Sequence, residues 1–379
     1  MHEAVMRECG AVRNAVGILD ASTLGKIDIQ GPDAAEFLNR IYTNAWSKLE
    51  SGRCRYGLMC TDDGMVMDDG VTTRIGPSRY LMTTTTGNAA KVLDWLEEWL
   101  QTEWPELRVY LTSVTDHWAT AAVTGPHARD LIAKVTPGVD FGPKAFPFMS
   151  MKAGKVAGVP ARIFRISFTG ELSYEINVQA QYGLHVWKAL IEAGAPYGIT
   201  PFGTEAQHVL RAEKGYIVVG QETDGTVTPH DLGMSWIVSK QKSDFIGRRS
   251  LFRSDTMRHD RKKLVGLLTD DPTTVLPEGS QITDYQGGGR PATGVILASN
   301  TVPGAVQFES GPRVVGPSIG HVTSSYFSGA LGRSIALALV RNKRPEDNDK
   351  VIVPLNGRAV VCTVTESVFY DKNGARLNA

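Results

Sequence analysis

The stretch DDGMVMDDG, Asp62 to Gly70, sets two acidic pairs around Met65, Val66 and Met67. β-like runs flank it, RYGLMC before and VTTRI after. Asp63-Gly64 between such runs is a hairpin signal, because the turn needs a positive φ that glycine adopts freely and aspartate tolerates. The first pair therefore makes the turn. The second pair, Asp68 and Asp69, lies in the returning strand. Strict alternation sends Asp68 to one face with Val66 and Asp69 to the other with Met67. Aspartate is depleted in strand interiors, and a buried carboxylate is costly unless it is paired or hydrogen-bonded. Two readings stay open here. Gly70 ends the strand and leaves both acids half-exposed, which position alone favours, or a carboxylate is held in a site because a ligand nitrogen or a developing cation needs it.

Outward from the hairpin, helical and strand patterns alternate loosely. Three- and four-residue apolar steps predict helices in HEAVMRECGAVRNAV, PDAAEFLNRIY, NAAKVLDWLEEWL, GPHARDLIAKV, YGLHVWKALIEAG and TPFGTEAQHVLRAEKG, the last stopped by Gly215. Short β-like runs, KIDIQG, RYLMTTTT, WATAAVTG, ARIFRISF and SYEINV, lie between them, so the expectation is α+β layers. After about Arg258 the texture changes. LVGLLT, TGVILAS, GHVTSS, SIALALV and VVCTVTESVF are strand-like and separated by Gly/Pro turns, which predicts a compact all-β sandwich or barrel. The expected division is an α+β region over 1–255, in two subdomains, and a β domain over 262–379.

Bulk properties exclude several classes. The chain has 379 residues, 42% apolar and 21% charged, with a formal net charge of zero. It carries no basic stripe of the kind that grips a phosphate backbone, so nucleic acid is not an expected partner. No apolar run approaches the roughly 20 residues of a membrane span, and MHEAVMRECG has no hydrophobic signal core. The four cysteines form no CxxC and are read as reduced thiols of a cytoplasmic protein; the eight histidines show no HxH or HExxH spacing, so no metal site is expected. GGGRPA, Gly287–Ala292, carries Pro291 and sits in the all-β half, so it is read as a turn and not a dinucleotide fingerprint; no GxxxxGK[ST] loop exists.

Six stretches in order resemble the aminomethyltransferase (glycine cleavage T-protein) superfamily: GILDASTLGKIDIQGPDA, DDGMVMDDGV, ISFTGELSYEI, HVLRAEKG, DFIGRRSL with LVGLL, and GHVTSSYFSGALGRSIALALV. The likeness spans nearly the whole chain. A narrower one, carried by TTTTGNAAKVLDWLEEWLQTEWPEL and by FGTEAQHVLRAEKG through IVSK, is to the C-terminal, folate-binding half of heterotetrameric sarcosine oxidase α subunits. The resemblance implies an aminomethyltransferase-like folate-binding fold with a C-terminal β-barrel. It implies tetrahydrofolate as cofactor, Asp68 as the catalytic carboxylate and Glu175 as the pterin-binding one. Thr84 and Thr85 fall in the neighbourhood of the family's pteridine-binding asparagine, and Phe168, Tyr174 and Tyr56 are candidates to sandwich the ring. Strand propensity explains most of the TTTT run, and core packing explains any one aromatic. Arg211 and Glu213 are expected to pair structurally.

The departures from the pattern matter. Thr23 replaces a histidine, and Ala206-Gln207-His208 replaces Ala-Arg-Asp, so an arginine linked to folate is missing. The implied function is capture of the carbon released from N-methyl amine (sarcosine) oxidation as 5,10-methylenetetrahydrofolate. FAD and NAD would be held by a partner, a flavin-containing amine oxidase subunit. A free-standing aminomethyltransferase or demethylase is the first alternative. A non-enzymatic folate-binding scaffold is the second; KGYIVVGQE lacks the cysteine that such relatives carry.

Overall fold

A computed structural model describes residues 2–285, 317–355 and 358–379. TGVILAS and GGGRPA lie outside the described residues. The chain opens with α1 (His2–Asn14), β1 (Gly17–Asp20), β2 (Gly25–Gln30) and α2 (Ala34–Ile41). The hairpin β3 (Cys54–Cys60) and β4 (Val66–Gly76) follows, then β5 (Arg79–Thr84), α3 (Ala89–Thr102) and β6 (Tyr110–Ser113). Next come β7 (Trp118–Thr124), α4 (Ala128–Val135), β8 (Ser150–Val156), β9 (Val159–Arg165) and β10 (Ser173–Gln179). Then follow α5 (Gly183–Gly194), β11 (Thr200–Pro201) and α6 (Thr204–Glu213). The last strands are β12 (Lys262–Thr269), β13 (Gln281–Asp284), β14 (Ser318–Ser328), β15 (Arg333–Arg341), β16 (Lys350–Leu355) and β17 (Arg358–Thr365).

Three sheets result. The first has the order β3-β4-β5-β2-β6, the second β11-β1-β7-β10-β9-β8, and β12-β15-β14-β13-β16-β17 close a barrel. Each of the first two sheets is apolar on its outer face because its strands alternate. In β2, Ile27 and Ile29 face the helices α2 and α3, where they meet Phe37, Leu38, Val92 and Leu96. In β10, Tyr174, Ile176 and Val178 face α4 and α5, where they meet Leu131, Ile132, Val186 and Leu190. The inner faces of the two sheets meet at an apolar cluster of Cys54, Leu81, Phe164 and Ile166. Polar side chains therefore remain on the inner faces at positions the alternation reserves for them. α1 and α6 bury Val12, Phe202, Val209 and Leu210 beside β1, and α6 contacts β14 and β15 of the barrel.

Two glycines are required by geometry. Gly64 turns the β3–β4 hairpin at φ +82°, and its N–H donates to the Thr61 carbonyl at 2.9 Å. Gly215 ends α6 at φ +67°, where a Cβ would meet the Ser367 carbonyl oxygen at 2.6 Å. The predicted α6 contacts differ from expectation. Two-residue spacing puts Arg211 and Glu213 on different faces of a helix. Arg211 donates to Glu222 at 2.7 Å and to Ser324 Oγ at 2.6 Å, both fully buried, while Glu213 receives Arg13. Arg13 also donates to Glu171 at 2.8 Å, and Arg376 to the same carboxylate at 2.8 Å. Two buried ionic networks thus tie α1, α6, the barrel and the segment after it together.

Candidate functional site

The inner faces of the two sheets line a narrow cleft of about 10 Å³, room for little more than one water-sized group. Val71, Thr73, Leu81 and Thr83 form one wall and Phe164, Ile166, Glu175 and Asn177 the other. Register explains the composition. Glu175 pairs with Phe164 and Asn177 with Arg162, so alternation turns all four away from the helical core and toward the first sheet. Asn177 Oδ1 accepts from Thr120 Oγ1 at 2.7 Å. Glu175 is different: among the described residues its carboxylate makes no hydrogen bond, and burial, opposed by the charge of Lys26, pushes its pKa up to about 7. A desolvated carboxylate without a donor is costly, and its free lone pairs suit a ligand edge of N–H groups.

The hairpin resolves the question of the second acidic pair. The β3–β4 register runs Met59↔Asp68, Leu58↔Asp69 and Tyr56↔Val71, with a shift between Met59 and Cys60. That β-bulge puts Met67 and Asp68 on one side, against the expectation that Asp68 shares a face with Val66. Asp68 turns toward α3: Thr85 N–H donates to its Oδ2 at 3.2 Å and Asn88 Nδ2 to its Oδ1 at 3.2 Å. It is fully buried there, with its pKa raised by burial. Asp69 is on the face of Val71 and Thr73, the cleft face, and its Oδ2 accepts from Tyr56 Oη at 2.6 Å. Burial pushes Asp69 up to about 7, with the Tyr56 hydrogen bond pulling down and the charge of Asp68 pushing up. So the inserted residue sets Asp69, and not Asp68, on the face of Val71 and Thr73, while Asp68, the expected catalytic carboxylate, sits beside Thr85 and Asn88.

The other predicted residues divide. Thr84 pairs with Gly25 on the helical face; a Cβ on Gly25 would meet Thr84 Oγ1 at 2.1 Å and Ala89 Cβ at 2.7 Å. Its hydroxyl donates to the Thr85 carbonyl, and it does not line the cleft. Thr85 acts through its backbone N–H on Asp68. Thr83, one residue earlier, lines the cleft and exchanges hydrogen bonds with Val71 N and O at 3.0 Å. Tyr174 is fully buried on the outer face of the second sheet, edge-on to Phe141 and Phe146, so it cannot reach the cleft. Phe168 is half-buried in the loop after β9 and stacks on Tyr216, with ring centroids 6.2 Å apart and planes at 20°. The sequence reading gave Asp69 no role of its own and did not weigh Lys26, Thr83 or Asn177. Alternation in KIDIQ, with Lys26 and Asp28 opposite Ile27 and Ile29, is the signal that marks Lys26.

Among the described residues no cluster of His, Cys, Asp and Glu could hold a metal, and no helix is long and apolar enough to cross a membrane. All four cysteines are free and buried, with thiol pKa values pushed up to about 12 by burial, which disfavours the reactive thiolate.

Comparison with known proteins agrees with this architecture. Residues 1–242 match the GCVT N-terminal domain, and residues 262–371 match the glycine cleavage T-protein C-terminal barrel domain. The chain is 53% identical over 377 residues to sarcosine oxidase subunit alpha from Corynebacterium sp. (strain P-1), covering 99% of this chain but 37% of that protein. It thus spans little more than a third of the length of that relative. It is 30% identical over 370 residues to aminomethyltransferase from Bacillus subtilis (strain 168), covering 97% of this chain and 91% of that one. In fold it is similar to the crystal structure of glycine cleavage system aminomethyltransferase T from Bartonella henselae, with a TM-score of 0.80 over 97% of this chain and 90% of that chain, at 22% identity. With both domain matches in order along nearly its whole length, the chain belongs to the glycine cleavage T-protein (GCVT) aminomethyltransferase family.

Proposed function

We propose that the chain is a tetrahydrofolate-dependent one-carbon transferase that binds the edge of the folate ring at Glu175, on the cleft between the two sheets. The observation that carries the reading is Glu175: a half-buried carboxylate, raised to about 7 by burial, with no protein donor among the described residues. An aminopyrimidine edge presents two parallel N–H donors to such a group, and hydrogen bonds to an ionised acceptor belong to the stronger class. Phe168 and Tyr216, stacked and half-buried near the end of β9, are the aromatic pair available to a ring; Tyr174 is not.

Folate supplies the nitrogens that take up the carbon. The chain's part is to move a proton. Asp69, on the cleft face and raised to about 7, is poised to accept a proton near neutral pH. Tyr56 Oη holds the Asp69 carboxylate in place and can pass a proton through the same 2.6 Å contact. Asp68 supports the site from behind by fixing Thr85 and Asn88 at the start of α3.

The carbon donor we infer is the product of N-methyl amine oxidation, sarcosine foremost, captured as 5,10-methylenetetrahydrofolate. The 53% identity to sarcosine oxidase subunit alpha supports this. A flavin-containing amine oxidase subunit would then supply the donor and hold FAD and NAD. Isothermal calorimetry of the chain with tetrahydrofolate, beside Glu175→Gln, tests the binding claim. Saturable binding that the variant weakens by tenfold or more is expected; equal binding by both would sink the assignment of Glu175.

A further inference from the structure

Lys26 is a puzzle that the hairpin and Glu175 do not exhaust. It is 1% exposed, on β2. Its register partner is Thr83, which lines the cleft, so Lys26 belongs to the cleft wall. Its ammonium donates to the carbonyls of Ser22 at 3.0 Å and Leu24 at 2.9 Å. Those two bonds pin the group and satisfy two of its three N–H donors. They do not neutralise its charge, and among the described residues no carboxylate lies within 4.0 Å of it. A buried, formally unpaired cation is expensive unless a counter-charge sits in the same low-dielectric region.

Burial pushes the Lys26 pKa down, and the charges of three carboxylates oppose it: Glu175, Asp20 and Asp116, in that order of influence. Asp20 and Asp116 are exposed, and Asp20 is already engaged by Ser22 N and Oγ. Solvent screens both. Glu175 is desolvated and has no hydrogen bond, so the Lys26–Glu175 pair carries the unscreened interaction. The other charged or titratable groups of the facing walls are committed elsewhere. Asp28 is bonded to Arg79, Arg162 lies over the Trp118 ring at 4.3 Å, Cys54 receives Thr73 Oγ1, and Asp69 is held by Tyr56.

We propose that Lys26 is a positioning residue for Glu175: its ammonium, pinned to the cleft wall by two backbone carbonyls, keeps the Glu175 carboxylate charged and available to a ligand edge of paired N–H donors. The inference rests on the folate reading only for the identity of that ligand. Its consequence is that the cleft keeps its acceptor near neutral pH, where a carboxylate so desolvated would otherwise hold its proton.

The test needs no ligand. Carboxyl 13C NMR follows the Glu175 signal, assigned by its loss in Glu175→Gln. In Lys26→Met the midpoint should move up by about one pH unit, and Lys26→Arg should restore it. A role confined to capping the Ser22 and Leu24 carbonyls would leave the Glu175 midpoint where it was, and that result overturns the proposal. A reciprocal readout uses no Lys26 variant: by linkage, Glu175→Gln should lower the Lys26 15Nζ titration by the same amount. An unchanged lysine overturns the proposal equally. Tetrahydrofolate binding then separates the two claims. If the midpoint rises from about 7 to about 8, Lys26→Met binds roughly fivefold more weakly than wild type at pH 7 and almost equally at pH 9. Intact coupling without any folate binding would leave the Lys26–Glu175 device standing and reject folate as its ligand.

Discussion

Glu175→Gln should remove ligand binding and stabilise the protein, and the gain should depend on pH. Burial raises the carboxyl from an ordinary 4.5 to about 7. The folded state therefore holds its proton more tightly than the unfolded state, and folding loses stability as pH rises from about 4.5 toward 7. At about 1.4 kcal/mol per pH unit, a displacement of about 2.5 units costs about 3 kcal/mol above pH 7 and nothing below pH 4. Solvent reaching the half-buried group reduces this to about 2 kcal/mol. Glutamine mimics the protonated acid, so Glu175→Gln should match wild type at pH 4 and exceed it by about 2 kcal/mol at pH 8. The assay is urea denaturation at both pH values, read on the transition of the N-terminal region because a multidomain chain need not unfold in one step. A gain equal at both pH values, or a loss at pH 8, would refute the claim that a desolvated carboxylate faces the cleft.

Three other outcomes follow from the geometry. Asp69→Asn should lower one-carbon transfer by roughly 10²–10⁴-fold with folate affinity changed much less, whereas Asp68→Asn should act mainly on stability through the start of α3; single-turnover rates and thermal melts separate them. Tyr174→Phe should leave tetrahydrofolate affinity unchanged, because Tyr174 lies on the outer face of its sheet; a tenfold loss by calorimetry would contradict that placement. Glu222→Gln leaves Arg211 buried without its counter-charge and should cost about 3–5 kcal/mol in urea unfolding, with the α6–barrel junction affected first.

How much of this was legible depended on whether a rule of alternation held without interruption. The six predicted helices all form, because each carries an apolar stripe that one sheet face can cover. The hairpin was legible in Asp63-Gly64, and the closed barrel in the change of texture after Arg258. Glu175 was legible as a residue of the inner face, since SYEINV alternates cleanly. The faces of Asp68 and Asp69 were not legible because a bulge between Met59 and Cys60 inserts one residue, and strand sequence carries little trace of a bulge. Thr84 and Thr83 were exchanged because a run of four threonines offers no polar–apolar contrast from which to read a face. Tyr174 was misplaced by weighing its ring above its parity: it neighbours Glu175, so it must point the opposite way. Arg211–Glu222 and Arg13–Glu213 are pairings between distant elements, which no local pattern encodes.

The central claim is that the cleft between β4 and β10 receives the edge of a folate ring, with Glu175 on its N–H groups and Asp69 beside the nitrogens that take up carbon. A crystal structure of the chain with tetrahydrofolate tests it most directly. The account predicts the aminopyrimidine edge within hydrogen-bond distance of Glu175, and Asp69 closer to the ring than Asp68. A ring bound elsewhere, or one in the cleft with Glu175 turned away and Asp68 in contact, would contradict the account.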